Sequence, residues 1–437
     1  MSKTKTTNGN ENAKTIRTPK LRFPEFRDSK EWEKTELRMI ADPVLDKASS
    51  GEKNNALSLS TENTIVLQSD ILEGNEINKY SERYLRIIRD DFIYIDKSTK
   101  NPASGTIKRL SNYSTGVVPS VYKCFRFHAN EHPGFWEGYF ESGAHNNQLS
   151  KVINEGATQG RFNTPVNKFL AINVWRPCES EQKKIADCLE SLESLIAAQS
   201  QKIKTLSTHK IGLTLQLFPR KGEFKPRLRF PDFQNAEEWK KVLFTNAIKV
   251  TSGKEFKPSE YSGEGIRLIQ SKNIEYGSLI WSDDSPHLPT TYADKHPELL
   301  LQTNNIVFAL YRPMRNEEIK ITKISKNDEK SIFSHQLAKL EIITDLLCAD
   351  FAFHFCRHFL SDYAQSNSTG LGQTRISLKE LNKQSITLPS LPEQICIAGC
   401  LSSLDSLISS HIQKLESIKK HKTALLQKLF PRSDKDI

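Results

Sequence analysis

Residues 181–220 read EQKKIADCLESLESLIAAQSQKIKTLSTHKIGLTLQLFPR, and residues 393–432 read EQICIAGCLSSLDSLISSHIQKLESIKKHKTALLQKLFPR. At this offset of 212 residues, 20 of the 40 aligned pairs are identical. A second repeat places LRFPEF at residues 21–26 and LRFPDF at residues 228–233, and a tryptophan follows each copy six residues later. Repetition on this scale indicates a tandem duplication of one structural unit.

Both long repeats show the hydrophobic pattern of a coiled-coil helix. Apolar residues recur at alternating steps of four and three, the spacing of an interhelical seam. The seam positions of the first copy are Ile185, Leu189, Leu192, Ile196, Gln199, Ile203, Leu206, Lys210, Leu213 and Leu217, and those of the second are Ile397, Leu401, Leu404, Ile408, His411, Leu415, Ile418, Lys422, Leu425 and Leu429. Both seams have polar residues at the same two places, which typically fix register or partner.

The ends of the two helices follow from capping chemistry. The helices should start near Ser180, which suits an N-cap, and Pro392, which suits the first turn, and Pro219 and Pro431 end them. Because each helix has one apolar stripe to bury and the other copy carries a matching stripe, we expect the two helices to pair antiparallel within one chain. The alternatives are that each helix packs on its own domain, or that the pairing is parallel or intermolecular.

The segments between the repeats share little sequence and are predicted to be mixed α and β structure, with strands in the majority. Short β-branched or aromatic runs, separated by Gly, Asn and Pro, predict the strands, and one longer apolar pattern predicts a helix. The predicted strands are 91–95, 117–122, 265–269 and 305–311, and the predicted helix is 346–365.

Composition sets the class of the protein. At 437 residues, with 37% hydrophobic and 26% charged residues, the chain is long enough for two to three domains and does not resemble a disordered protein. Seven cysteines spread over the chain fit reduced thiols. We expect no membrane span, because no run approaches the roughly 18 apolar residues required. With no apolar segment after the basic N-terminus, a cytoplasmic protein is expected.

The net charge of +10 permits a nucleic-acid partner but does not define a binding face. Residues 1–20 carry five basic residues and one acidic residue, whereas residues 21–180 carry 21 of each. The positive charge is therefore diffuse.

Common catalytic motifs are absent or incomplete. The sequence has no GxxxxGK[ST] or GxGxxG loop. The segment 101–104, NPAS, lacks the second proline and the aromatic residue of an amino-methyltransferase loop, and the nuclease-like pattern of Pro231-Asp232 with 238–240 loses its lysine in the first repeat. His354 and His358 have the i, i+4 spacing of a metal pair, but a packed helix face is the better interpretation.

Polar and basic loops in both halves remain as candidates for DNA contact. Gln and Arg can make bidentate contacts to base edges, and Lys and Arg neutralise phosphate. The candidate residues are Lys97, Lys100, Arg109, Tyr113, Gln159, Arg161, Tyr311, Arg312, Arg315, Gln373 and Arg375.

From Leu21 to Arg432 the chain resembles the specificity subunits of type I restriction-modification enzymes. The resemblance rests on the repeated LRFP[ED]F motif with its tryptophan, the repeated [SP]EQ helix start, the helices themselves and the LFPR ends. It implies an α+β fold with two target-recognition domains separated by two long antiparallel coiled-coil helices, related by an approximate twofold axis. The expected division is a disordered basic tail (1–20), domain 1 (21–178), spacer helix 1 (179–220), a linker (221–227), domain 2 (228–391), spacer helix 2 (392–432) and a tail (433–437).

The resemblance also implies the function. Each domain of such a subunit reads one half of a split, asymmetric double-stranded DNA sequence, and the helices set the gap and bind two methyltransferase subunits. Restriction and translocation subunits join them. The chain itself is then expected to have no catalytic residues, metal or cofactor, with S-adenosylmethionine, ATP and Mg²⁺ on the partner subunits. Two alternatives are a structural spacer whose two domains bind proteins, and a nuclease with an unrecognised site.

Overall fold

The structure is a computed structural model that describes residues 18–49, 55–60, 64–70, 84–95, 105–154, 165–275, 277–315, 318–366 and 375–431. The helices are α1 (Pro133–Glu141), α2 (Asn146–Asn154), α3 (Val166–Leu170), α4 (Glu179–Leu217), α5 (Phe244–Ala247), α6 (Tyr292–Lys295), α7 (Ala349–Ser366), α8 (Leu378–Leu381) and α9 (Leu391–Leu429). The predicted tails lie almost entirely outside the described residues.

The strands are short. They are β1 (Glu33–Glu36), β2 (Ala41–Pro43), β3 (Leu57–Leu59), β4 (Ile65–Leu67), β5 (Tyr84–Ile88), β6 (Phe92–Ile95), β7 (Thr106–Arg109), β8 (Thr115–Pro119), β9 (Lys123–Phe127), β10 (Asn173–Arg176), β11 (Lys240–Leu243), β12 (Ile248–Ser252), β13 (Ile266–Ile269), β14 (His287–Leu288), β15 (Ile306–Ala309), β16 (Met314–Arg315), β17 (Glu318–Ile319), β18 (Ile321–Lys323), β19 (Ile332–Phe333), β20 (Leu337–Ile342) and β21 (Ser385–Leu388). The mixed helix and strand content confirms the predicted α+β class.

The chain divides into two compact units. Unit 1 comprises residues 1–200 and 413–437, and unit 2 comprises residues 201–412. The predicted globular segments 21–178 and 228–391 each fall within one unit. Each unit also contains half of α4 and half of α9, so both long helices contribute to both cores.

Unit 1 is built around an antiparallel sheet in the order β2-β9-β6-β7, with the pairs β1–β10, β3–β4 and β5–β8 beside it. Its main core is aromatic and includes Trp32, Phe92, Phe125 and Trp136. The beginning of α4 and the end of α9 close this core, since Ile185, Leu189, Leu426, Leu429 and Phe430 are all buried in it. Opposite ends of the two helices therefore meet in unit 1.

Unit 2 repeats this plan. Its antiparallel sheet has the order β12-β20-β15-β18, with the sheet β14-β13-β19 and the pairs β11–β21 and β16–β17 beside it. The core contains Trp239 and Phe351 together with the end of α4, at Leu217 and Phe218, and the beginning of α9, at Ile397 and Leu401. In both units, then, the start of one helix packs near the end of the other, which confirms antiparallel pairing within one chain.

The repeated arginine of LRFP[ED]F explains why that motif accompanies each helix start. The Arg22 guanidinium donates to both carboxylate oxygens of Glu181 at 2.8 and 2.7 Å, and Arg229 does the same to Glu393 at 2.8 and 2.6 Å. Both carboxylates are 1% exposed. A buried bidentate pair of this kind fixes the start of each helix against the segment that begins its domain.

Helix α9 bears on the expectation that the chain has no membrane span. Among the described residues, one helix, α9, is long and apolar enough to cross a membrane by length and composition, with an 18-residue window of mean hydropathy 1.4. The window reaches this value because Ser, Gly, Ala and Cys, with few charged residues, separate its Ile and Leu side chains. Residues near both ends of α9 are buried, Ile397 and Leu401 in unit 2 and Leu426 and Leu429 in unit 1.

Candidate nucleic-acid interface

One edge of the sheet in unit 2 collects exposed polar and basic side chains. Because β20 runs antiparallel to both β12 and β15, the ends of β12 and β15 lie beside the start of β20. Six residues lie just outside these strand ends or pair with a residue there. We call this group the rim, and its members are Lys254, Tyr311, Arg312, His335, Gln336 and Arg375. Tyr311 is half-buried and the other five are exposed.

Backbone hydrogen bonds hold the rim segments together. The His335 N–H donates to the Lys254 carbonyl at 2.9 Å. The Leu310 N–H donates to the Gln336 carbonyl at 2.8 Å, and the Ile376 N–H donates to the Leu310 carbonyl at 2.9 Å. The rim is composed of four separate chain segments, and these bonds fix the backbone of the surface.

Ring contacts orient two rim side chains. The Arg375 guanidinium lies over the Tyr311 ring, 4.6 Å from its centroid, and the two residues also form an isolated antiparallel bridge. The His335 ring packs edge-on against Tyr311, with 6.5 Å between centroids. A guanidinium stacked on an aromatic ring keeps the N–H groups in its own plane free to bind a ligand.

Gly253 allows the end of β12 to approach the turn that leads into β20. A Cβ atom at this position would lie 2.0 Å from the Ser334 carbonyl oxygen. Only glycine fits so close to another backbone. Gly253 thus positions the next residue, Lys254, on the rim.

The structure brings together three residues predicted from sequence, Tyr311, Arg312 and Arg375. Arg315 lies in β16, opposite Glu318 in β17, and its side chain is outside the described residues. Gln373 is also outside them. Sequence analysis missed Lys254, His335 and Gln336, because a non-consecutive strand order brings them to the rim.

In unit 1 the corresponding edge follows β6, because β2-β9-β6-β7 matches β12-β20-β15-β18 position by position. Lys97 and Lys100 come two and five residues after β6, and Tyr311 and Arg312 come two and three residues after β15. Both lysines lie outside the described residues, as do Gln159 and Arg161. Their DNA contacts stay predictions.

Arg109 and Tyr113 have packing roles in unit 1. The Arg109 guanidinium donates to Asp90 at 2.8 Å, Glu137 at 3.2 Å and Glu190 at 3.3 Å, and its side chain is 15% exposed. Tyr113 packs against a small apolar cluster around Val118. These contacts account for both side chains structurally, and their contact with DNA also stays a prediction.

The histidine pair on α7 is packed. His354 is 4% exposed, and its Nε2 atom lies 2.9 Å from the Ser402 hydroxyl. Burial lowers the pKa of His354 to about 4. Within the described part of the chain, no group of three or more His, Cys, Asp and Glu residues could hold a metal ion.

Comparisons with known proteins define the class. A family model described as "Type I restriction modification DNA specificity domain" matches residues 237–420. The type I restriction enzyme MjaVIII specificity subunit of Methanocaldococcus jannaschii is 30% identical over 295 residues, which cover 65% of this chain and 67% of that protein. The chain therefore belongs to the family of type I restriction-modification specificity subunits, which are DNA-recognition subunits rather than catalysts.

A second relative agrees with this assignment, and two solved structures have a similar fold. The EcoAI specificity subunit of Escherichia coli is 26% identical over 218 residues, covering 50% of this chain and 35% of that protein. The crystal structure of the type I S subunit from M. genitalium has a TM-score of 0.54 at 14% identity and covers 95% of this chain and 99% of that one. A chain from a study of assembly and conformational transition of the type I R-M system has a TM-score of 0.53 at 16% identity, covering 92% and 98%. Both structures show the same fold.

Proposed function

We propose that this chain reads a two-part DNA target, with the globular domain of each unit contacting one half, and that the rim is the part of the second domain that contacts the duplex. The proposal extends the family assignment to particular residues. A spacer protein that binds only other proteins is not favoured by the relatives.

The observation that carries the proposal is the convergence of the rim residues on one sheet edge. Lys254, Arg312 and Arg375 supply positive charge for phosphate, and Gln336 and the two arginines can make bidentate hydrogen bonds to base edges. Such side chains on a backbone fixed by β-structure are suited to sequence reading, because their placement costs little conformational entropy on binding.

The helices are the proposed docking surface for two methyltransferase subunits. Several apolar side chains on them are solvent-exposed, and in the proposal these are the side chains that a partner covers. They are Leu195 in unit 1, and Ile211, Leu215, Ile395, Leu407 and Ile412 in unit 2, with exposed fractions from 43% to 63%. The methyltransferase subunits would carry S-adenosylmethionine, and a restriction and translocation subunit would carry ATP and Mg²⁺, all in the cytoplasm.

The test is binding of the complex between this chain and its methyltransferase partner to its mapped target and to a scrambled duplex. Replacing Gln336 and Arg375 together by Ala should weaken binding to the target more than to the scrambled duplex. A matched pair of substitutions, Gln302→Ala with Arg267→Ala, removes the same residue types from unit 2 outside the rim and should leave the ratio unchanged. Equal loss on both duplexes, or loss in the control alone, would show that the rim does not read sequence.

A further inference from the structure

Arg312 has a backbone conformation that L-amino acids rarely adopt. Its φ is +46°, in the left-handed region, and its side chain is exposed. Glycine adopts this region without steric cost, whereas arginine pays for it. Since no packing in the core requires an arginine here, the choice of residue must have another cause.

The segments on both sides of Arg312 are fixed. Before it, Leu310 accepts the Ile376 N–H at 2.9 Å, and Tyr311 forms the bridge with Arg375. After it, the Pro313 carbonyl accepts the Lys320 N–H at 2.8 Å. The left-handed conformation is thus imposed by the surrounding hydrogen bonds, and unfavourable backbone geometry held in this way is typical of functional positions.

The three cationic side chains of the rim differ in what they contact. Arg375 stacks on Tyr311, and the Lys254 Nζ atom lies 3.0 Å from the His296 Nε2 atom. Arg312 has no such contact with any residue that the structure describes. Arg312 is therefore the one of the three whose charged group no described residue orients, and its full fork of N–H donors is open to an external acceptor.

The contrast with Asp90 supports this distinction. Asp90 also has a left-handed backbone, with φ of 72°, but its carboxylate accepts a hydrogen bond from Arg109 at 2.8 Å. A contact within the protein therefore justifies the non-glycine residue at that position. Neither Arg312 nor Lys330, which is also left-handed and exposed, has a side-chain hydrogen bond to a described residue, and of these two Arg312 is the one on the rim.

We propose that Arg312 is a specificity-determining residue of the second domain, and that it recognises a guanine through bidentate hydrogen bonds to O6 and N7 in the major groove. The assignment rests on the proposed function. Among base edges, guanine offers two acceptors at the spacing of the guanidinium fork. The half of the target read by the second domain then contains at least one G·C pair whose orientation matters.

The experiment uses the complex of the full chain with its methyltransferase subunit and the target mapped for the wild-type complex. In separate duplexes, each guanine of the half-site read by the second domain is replaced in turn by 7-deazaguanine. This base lacks the N7 acceptor but keeps base pairing. For wild type, one position should lose binding, within the roughly 5- to 150-fold range of a lost bidentate contact. Arg312→Gly should bind the unmodified target weaker by a similar factor and be insensitive to 7-deazaguanine at that position alone.

Two further variants separate base reading from charge and folding. Lys330→Gly removes one positive charge at another left-handed residue of unit 2, where φ is 60°, and should bind like wild type. Arg312→Lys keeps the charge but not the fork, so its binding should also fall and it should lose discrimination at the same position. The melting temperature of Arg312→Gly should equal or exceed that of wild type, because glycine relieves the backbone strain.

Several outcomes would overturn the proposal. If Arg312→Gly weakens target and scrambled duplexes alike and reduces the salt dependence by about one phosphate contact, Arg312 binds phosphate. If the binding and base discrimination of Arg312→Gly match those of wild type, Arg312 lies outside the interface. If 7-deazaguanine weakens wild-type binding at no guanine of the half-site, Arg312 reads no guanine. A wild-type complex that shows no preference between target and scrambled duplex would instead contradict the proposed function itself.

Discussion

The Lys422 ammonium contacts the Glu193 carboxylate in unit 1, and the Lys210 ammonium contacts the Asp405 carboxylate in unit 2. Lys210 and Lys422 are 212 residues apart, and so are Glu193 and Asp405. One of the two polar interruptions that the seams share, Lys210 in α4 and Lys422 in α9, is therefore paired with an acidic residue on the opposite helix. Their surroundings differ, because Lys422 also contacts Glu141 at 2.6 Å.

This difference predicts unequal costs of removing each acid. Burial lowers the pKa of Lys210, and Asp405 is its hydrogen-bond partner, whereas the two carboxylates around Lys422 outweigh burial and raise its pKa. Asp405→Ala should destabilise the protein by about 3 kcal/mol, as expected when a buried charge loses its partner. Glu193→Ala should cost about 1 kcal/mol or less, since Glu141 remains. Urea unfolding of the two variants checks this. Equal losses would contradict the asymmetry.

The repeated arginines predict a second effect. Arg229 is 3% exposed and donates to both oxygens of Glu393. Arg229→Lys should destabilise the protein by about 2 kcal/mol despite keeping the charge, because an ammonium cannot make the bidentate contact. Arg227→Lys, two residues earlier at a position outside this pair, serves as the control in thermal unfolding. If Arg229→Lys leaves the stability of the protein unchanged, the positive charge alone is sufficient.

Stability should fall as the pH is lowered from about 6.5 toward 4. Burial lowers the pKa of His354 to about 4, while a histidine in the unfolded chain takes up its proton near pH 6.5. Between these values the unfolded state binds more protons, so acidification favours unfolding. Four charged residues act on the ring: Lys210, Asp405, Arg357 and Lys323. The urea midpoint of wild type should therefore decrease over this range.

Two variants test whether His354 causes this dependence of the urea midpoint on pH. His354→Asn should make the urea midpoint less dependent on pH between 6.5 and 4, whereas His209→Asn, at an exposed position of α4, should keep the wild-type slope. If His354→Asn keeps the full slope, the buried histidine is not its source.

The exposed apolar side chains of the helices predict where partner binding can be disrupted. Ile395 is 63% exposed on α9. Ile395→Glu should abolish co-purification with the methyltransferase subunit while leaving the melting temperature close to that of wild type, because a charge is costly only in a covered interface. Ile395→Leu keeps the apolar surface and should co-purify normally. Normal co-purification of the Glu variant would exclude this position from the docking surface.

Much of the architecture was predictable because the duplication made each inference appear twice. The seam predicted α4 and α9 to within a few residues of their observed ends, and the predicted strand 305–311 and helix 346–365 correspond to β15 and α7. The rim was only partly predictable. Tyr311, Arg312 and Arg375 stood out by residue type, but Lys254 and His335 join them through the order β12-β20-β15, which local sequence does not encode.

The left-handed backbone of Arg312 was equally inaccessible from sequence. The segment Tyr311-Arg312-Pro313 has no glycine or asparagine to indicate a positive φ. The conformation arises from hydrogen bonds to Lys320 and Ile376 on either side, which are tertiary contacts. Long-range pairing, rather than local preference, decides this part of the site.

Domain exchange followed by mapping of methylated positions in cellular DNA tests the central claim most directly. Residues 21–178 or residues 228–391 are replaced by the equivalent segment of a relative with a different target, in cells that also carry the methyltransferase subunit. If each domain reads one half of the target, each exchange should change one half-site, a different one in each case, and leave the other half-site intact. A change in both half-sites after a single exchange, or the same half-site changed by both exchanges, would contradict the account.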